Sequence, residues 1–526
     1  MRPCALVLFL IFFHVVASQQ IYDIWQTTWD RSKLFTYQNL GGSPIGFGAP
    51  NVIGSADIDI DEAATFQSVW GFGGSLTDSS AQLFSNLKSR NSNNYWALLN
   101  ELFDPTDGAN SAGLSYIRVP LGASDFSPYV YSYDDSNGDT SFNNFNINNA
   151  PASLYSVLRD IMSINNLLKV HVVPWSPPGW MKSTGAMNGG SLQSKYVSIY
   201  AKYLLKCVQG FNSNGIPPYA ISIQNEPQNS NPTYPSTLIS ASQEAQIGTQ
   251  LRTLLNNNGF SGVRIIGYDH NWDDASTYPV QLMQQAGDAF AGVSFHCYAG
   301  TVAQQDAFHA LYPQKEIYFT ECSGELGSDW WSDIKWYMDN IFIGSIQHNS
   351  HVGLMWNIAL DGNGAPMLPG TNSCGGGCRG IVQINSDGSY SMNQEFYSMA
   401  QASKAILPRD IGGPWGTRIG VTVGGTLNWA LRVNAFVTGR TNAADWNRYS
   451  IVVLNWYDNS NSNWNPQPVK TTIEFRGQQA TYTFPVGVTT LWWYAPNEGT
   501  LTNSTIKNFV HEGYGAVQAA MRMLSQ

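Results

Sequence analysis

Charge is the scarcest commodity in this sequence. Lys, Arg, Asp and Glu make up 12% of the 526 residues, about half of the roughly 25% usual for soluble domains. The net charge is −10, and Lys and Arg never cluster. Phosphate binding needs a basic patch, so no nucleic-acid partner is expected. Long apolar runs are absent beyond the first 20 residues, so no integral membrane span is expected. Cysteine is sparse, and no Cys/His spacing resembles a zinc site. His348 and His351 stand three apart, but they precede a strand-like segment and read as surface residues. The glycines of "GFGG" (71–74) fail the G-x-G-x-x-G spacing because position 76 is Leu76, which dismisses dinucleotide binding. No cofactor and no metal is expected. The oligomeric state leaves no trace in the sequence.

Hydrophobic residues make up 43% of the chain, which places it among globular proteins, and 18 Trp and 26 Tyr stand where charge is missing. A polar but weakly charged surface suits neutral ligands and an extracellular setting. The first residues, "MRPCALVLFLIFFHVVASQQ", join a basic start at Arg2 to an apolar run of about a dozen residues and the small pair Ala17 and Ser18. That is the pattern of a secretory leader over 1–18, cleaved near Ser18. Cys4 leaves with it, and five cysteines remain: Cys207, Cys297, Cys322, Cys374 and Cys378. "CGGGC" makes Cys374–Cys378 the best candidate for a disulfide, since glycines let so short a loop close. The pairing of Cys207, Cys297 and Cys322 stays open, and the odd count leaves at least one thiol without an internal partner. Asn503 is the single glycosylation sequon.

From about 68 to 405 a short apolar, β-rich run repeatedly ends in a polar or aromatic cluster and is followed by a helix-like segment. Eight such runs occur: 68–74, 114–122, 169–176, 219–226, 263–271, 292–299, 316–323 and 353–360. Strands alternating with helices mean a parallel sheet, and eight is the number that closes a (β/α)8 barrel. An open doubly wound sheet is the alternative. After about 406 the pattern becomes alternating strands and tight turns, as in a β-sandwich. The expected organisation is a leader over 1–18, an N-terminal segment over 19–67 that adds strands to the sandwich, a barrel over 68–405, the sandwich over 406–495, and a tail over 496–526 with no assigned role.

Catalytic groups of such barrels sit at the C-terminal ends of the strands. There the sequence places Asp125 after the second run, Trp175 at the end of the third, Asn225 and Glu226 at the fourth, His296 and Tyr298 at the sixth, Glu321 at the seventh, and Trp356 and Asn357 at the eighth. A single glutamate in such a place is ordinarily a solvated rim charge. Two, with aromatics on neighbouring strands, suit cleavage of a glycosidic bond, where one carboxyl protonates the leaving oxygen and the other attacks the anomeric carbon. Pyranose C–H faces stack on Trp and Tyr, and hydroxyls seek Asn, Asp and Arg. The rival readings are a carbohydrate-binding protein without catalysis and a metal-dependent hydrolase. The second lacks the His/Asp clusters it would need, since His171 is mid-strand and His296 with Asp269–His270 are too few.

"WGFGGSLTD" (70–78), "YIRVPLGASDFS" (116–127), "VPWSPPGWMKSTGAMNGGSL" (173–192), "IQNEPQ" (223–228), "FHCYAG" (295–300), "FTECSG" (319–324) and "MWNIALDGNGAP" (355–366) resemble glycoside hydrolase family 30, in that family's order. The resemblance implies an α/β barrel with a side β-sandwich built from both ends of the chain, and a retaining β-glycosidase. It makes Glu226 the general acid/base and Glu321 the nucleophile. It makes Asn225 a ligand of the sugar 2-hydroxyl, sets Asp125, Trp175 and Trp356 around the sugar, and puts a buried Arg118 beside the nucleophile. Two branches of the family compete: glucosylceramidases, and fungal endo-β-1,6-glucanases acting on cell-wall β-glucan polysaccharide or oligosaccharide. Cys297 stands where the animal lipid-cleaving enzymes carry a tryptophan, and residues 372–410 look more like the glucanase group. The expected protein is a secreted, extracellular β-1,6-glucanase, at work on or near a cell wall.

Overall fold

The computed structural model describes residues 19–40 and 42–497. The leader over 1–18, the sequon at Asn503 and all but the first two residues of the 496–526 tail lie outside the described residues.

Eight parallel strands close into a barrel, in the order Gly71–Ser75, Tyr116–Leu121, Lys169–Pro174, Ala220–Ser222, Arg264–Asn271, Gly292–His296, Glu316–Glu321 and Ser350–Asn357, the last pairing back onto the first. Each lies within or overlaps one of the eight apolar runs, and their burial is nearly continuous because helices cover the outside. The helices follow the strands in turn. One of them, Ala241–Asn257, starts on a capping box in which Ser240 accepts from the Gln243 backbone and the Gln243 side chain bonds back. The glycines of "GFGG" have a packing reason: a Cβ on Gly73 would run into the Tyr116 carbonyl of the next strand.

Inside the barrel, side chains alternate along each strand. Tyr116, Ala220, Ile266, Tyr318, Val352 and Leu354 fill the lower layer. Two residues on from Tyr116, on the same face, Arg118 enters the upper layer with no exposed surface. The interior is therefore apolar and aromatic at one end and charged at the other. His351 departs from the surface reading. It lies within the eighth strand, stacks on Trp70 with ring centroids 4.0 Å apart, and bonds the Ser68 carbonyl at 2.7 Å through Nδ1.

Ten strands form a second unit in one continuous sheet. Gln20–Thr28 pairs with Gly487–Ala495, and Ala56–Ser68 pairs with both Thr417–Gly424 and Val469–Phe475, so the two chain ends are woven together. Thr417–Gly424 and Leu431–Thr438 are joined by a helical turn at Asn428–Ala430, in keeping with the alternating strands and tight turns expected there. The sheet folds over so that Phe47, Tyr449, Phe475 and Trp493 meet inside it. It rests on the last barrel helix, Gln394–Ile406, through Gln401, which donates to Thr27 Oγ1 and accepts from Thr490 Oγ1.

Stability is expected to fall as pH rises from about 4.5 to 7. Burial pushes the carboxyls of Asp78, Asp125 and Glu244 up to about 7. Across that window the folded chain holds protons that the unfolded chain has released, so folding weakens with rising pH. His171, pushed down to about 3 by burial, and His351, lowered by burial, work the other way, while Asp134, raised by burial to about 6, adds to the carboxyl side. Thermal unfolding midpoints across the window check this. A midpoint that climbs steadily from pH 4.5 to 7 would contradict it.

Candidate active site

The fourth strand ends at Ser222, and the chain then turns sharply. Asn225 donates its backbone N–H to the Pro174 carbonyl of the third strand at 2.8 Å, and Glu226 donates to the Asp269 carbonyl of the fifth at 3.0 Å. Glu226 itself has φ +47°, a left-handed conformation rare for a side chain with a Cβ. Strain of this kind persists where surrounding bonds hold it, and here it aims the carboxyl over the barrel mouth.

A cleft of about 680 Å³ opens there, lined among others by Asp125, Trp175, Asn225, Glu226, Tyr298, Glu321 and Trp356. Arg118 and His296 lie directly beneath with fully buried side chains. The structure thus brings together Asp125, Trp175, Asn225, Glu226, His296, Tyr298, Glu321, Trp356 and Arg118, whereas Asn357 is buried outside the cleft, where its Oδ1 accepts from Thr77. Trp175 and Trp356 stack on each other at 4.9 Å, and the Arg118 guanidinium lies 4.8 Å from the Trp175 ring. Asp125 accepts from Ser373 at 2.6 Å. Tyr298 lines the cleft and is 47% exposed.

A chain of polar contacts joins the two glutamates. Arg118 donates through Nη1 to Glu321 Oε2 at 2.6 Å and through Nη2 to Asn225 Oδ1 at 2.5 Å, and stands 3.2 Å from Asp269 Oδ2. Asp269 Oδ1 meets His296 Nε2 at 2.8 Å and accepts from Thr320 at 2.6 Å. His296 Nδ1 lies 3.2 Å from Glu226 Oε1, whose other oxygen accepts from Asn229 at 2.8 Å. The Tyr298 hydroxyl donates to Glu321 Oε1 at 3.0 Å. Asp269 escaped the sequence reading as a site residue, although "YDHN" closes the fifth run in a polar cluster just as "QNE" closes the fourth. Asn229 and Tyr234 escaped it too, being loop residues without a strand to place them; Tyr234 lines the cleft, and its hydroxyl accepts from Asn229 at 3.1 Å.

The environments of the two glutamates differ. Burial raises the Glu226 carboxyl, but the imidazoles of His270 and His296 that face it outweigh burial and hold it well below the usual carboxylate range. Burial raises Glu321, and the charges of His296 and Arg118 only partly offset it. Burial alone would lower His296, but the Glu321, Asp269 and Glu226 carboxylates push it up to about 9. The open cleft therefore holds a proton on His296 and an ionised Glu226. Both Glu321 oxygens face donors, Oε2 the Arg118 guanidinium and Oε1 the Tyr298 hydroxyl.

Two disulfides brace the site. Cys297–Cys322 links the residues that directly follow His296 and Glu321, and so ties the ends of the sixth and seventh strands. Cys374–Cys378 closes the loop that carries Ser373 along the cleft rim. Cys207 is a free thiol buried in the helix Val197–Ser213. No helix among the described residues is long and apolar enough to cross a membrane.

Comparison with known proteins agrees with this geometry. The profile of the Glycosyl hydrolase family 30 TIM-barrel domain matches residues 69–406. The chain is 32% identical to an endo-1,6-β-D-glucanase of Neurospora crassa, over 87% of this chain and 93% of that one. It is 27% identical to putative glucosylceramidase 3 of Caenorhabditis elegans, over 59% of this chain and 62% of that one. The solved structure of the endo-β1,6-glucanase BT3312 superimposes with a TM-score of 0.74 at 27% identity, covering 90% of this chain and 99% of that one.

Proposed function

The chain belongs to glycosyl hydrolase family 30, and from that membership we propose that this glycoside hydrolase is a secreted enzyme that cuts β-1,6-linked glucan with retention of configuration. The observation that carries the reading is one cleft with two glutamates in contrasting settings, within a chain whose likeness to endo-1,6-glucanases spans barrel and sheet alike. The leader pattern over 1–18 and two disulfides support export.

In this reading Glu321 attacks the anomeric carbon, and Glu226 protonates the leaving oxygen and then draws a proton from water. The proton for the first step waits on His296, whose Nδ1 lies 3.2 Å from Glu226 Oε1. A sugar that fills the cleft expels water, and a drier site favours the neutral carboxyl–imidazole pair over the ion pair. Glu226 thus becomes an acid when a substrate is present. Asn225 Oδ1 is occupied by Arg118, which leaves its amide N–H groups to donate to the sugar 2-hydroxyl. Trp175, Trp356 and Asp125 bound the glucosyl unit.

Product analysis of the purified protein on linear β-1,6-glucan, β-1,3-glucan and glucosylceramide tests the proposal. Oligosaccharides are expected from the first substrate alone. Glucose released from the lipid alone would overturn the linkage assignment in favour of a glucosylceramidase. Folded protein with no turnover on any of the three would mark a binding protein.

A further inference from the structure

We propose that Glu226, His270 and His296 form an inhibitory site for a borderline divalent cation such as Zn²⁺ or Cu²⁺. One ligand atom from each, a carboxylate oxygen and two imidazole nitrogens, lies within 4.8 Å of the others. Glu226 Oε1 is the hub, 3.2 Å from His296 Nδ1 and 3.7 Å from His270 Nδ1. Ligands at about 2.0–2.1 Å from a tetrahedral zinc stand about 3.3 Å apart, so the His296 edge at 3.2 Å already matches and the His270 edge at 3.7 Å needs only a small approach. The widest edge stays within 4.8 Å, and His270 Nδ1 is buried with no hydrogen-bond partner.

The surroundings are those of a metal ligand set. Asp269 Oδ1 lies 2.8 Å from His296 Nε2. A carboxylate on the far nitrogen of an imidazole fixes the ring and leaves the near nitrogen as an electron-pair donor. Glu226 lines the cleft, so an ion reaches it from solvent. Two nitrogens and one oxygen suit zinc or copper, whereas magnesium and calcium demand oxygen ligands. The site is distinct from a catalytic metal centre: the ion occupies the carboxylate oxygen and the imidazole nitrogen between which the acid's proton lies, and so competes with that proton. The inhibitory consequence rests on the acid/base role of Glu226, but ion binding does not.

Equilibrium dialysis with Zn²⁺ measures binding without reference to activity, and Co²⁺ supplies a spectrum. The intact chain is expected to bind one Zn²⁺ at micromolar concentration, and Co²⁺ to give the intense visible bands of a four-coordinate site. His270→Ala should weaken binding at least tenfold, whereas His309→Ala, away from the cluster, should leave it unchanged. Glucan hydrolysis should be inhibited by the same Zn²⁺ concentrations and restored by a chelator, with Mg²⁺ without effect. The absence of stoichiometric Zn²⁺, or equal affinity in His270→Ala, overturns the site. Stoichiometric binding that His270→Ala abolishes, with hydrolysis unaffected, upholds the site and overturns instead the acid/base role of Glu226.

Discussion

Glu321→Gln is expected to lower kcat/KM by at least about four orders of magnitude, on β-1,6-glucan and on aryl β-glycosides alike. Four orders correspond to about 5.4 kcal/mol of transition-state stabilisation. The neutral amide of Gln is a far poorer nucleophile than a carboxylate, and among the described residues no other carboxyl contacts both Arg118 and Tyr298 as Glu321 does. The change is nearly isosteric, so the fold should survive, and circular dichroism and the thermal midpoint verify that. A slow-hydrolysing fluorinated glycoside should leave a covalent sugar on the native protein, detected by intact mass, and none on the variant. A covalent adduct on Glu321→Gln, or a loss of less than tenfold, would remove Glu321 from the nucleophile's role.

Glu226→Gln is expected to separate substrates by their leaving groups. Glucan, whose leaving alcohol needs a proton, should lose about 10²–10⁴-fold in kcat/KM, the range of general acid catalysis. An activated aryl glycoside, whose phenolate departs unaided, should lose less than about tenfold in the same parameter. Its kcat should still fall, because the covalent intermediate then waits for a water that no base activates. Azide, a nucleophile that needs no base, should restore that second step and yield a glycosyl azide of retained configuration. The contact between His296 Nδ1 and Glu226 Oε1 adds a corollary. If the proton is stored on that pair, replacing either partner changes the pH profile of glucan cleavage more than that of the aryl glycoside. Equal losses for good and poor leaving groups would refute the acid role.

The barrel was legible because its strands are buried on both sides. Each therefore reads as a short apolar run, and each ends abruptly where the chain reaches water at the mouth. The fourth shows the limit of such reading. "AISI" suggests a strand through Ile223, yet pairing stops at Ser222, because the next residues bond to the third and fifth strands outside the regular ladder. Beyond the barrel, a helical turn at Asn428–Ala430 separates Thr417–Gly424 from Leu431–Thr438 within a stretch whose composition does not change. His351 misled because a half-polar ring gives no sign in sequence of the Trp70 face on which it stacks.

What the sequence determined by itself was the count and order of the strands, the end of the barrel at which polar groups collect, and the two glutamates among them. Period, burial and chain order are local properties, and local properties are written residue by residue. The relation between those glutamates was decided only in three dimensions. The path from Glu226 through His296, Asp269 and Arg118 to Glu321 joins residues from the second, fifth, sixth and seventh strands to the loop after the fourth. Barrel closure brings them within hydrogen-bonding distance. Burial then decides where protons reside, because a buried charge is tolerated only beside its opposite. His296, which the sequence singles out only by its place at the end of the sixth run, is pushed up to about 9 by the carboxylates that surround it. The disulfide between Cys297 and Cys322, left unassigned by spacing, forms because the sixth and seventh strands are neighbours in the ring.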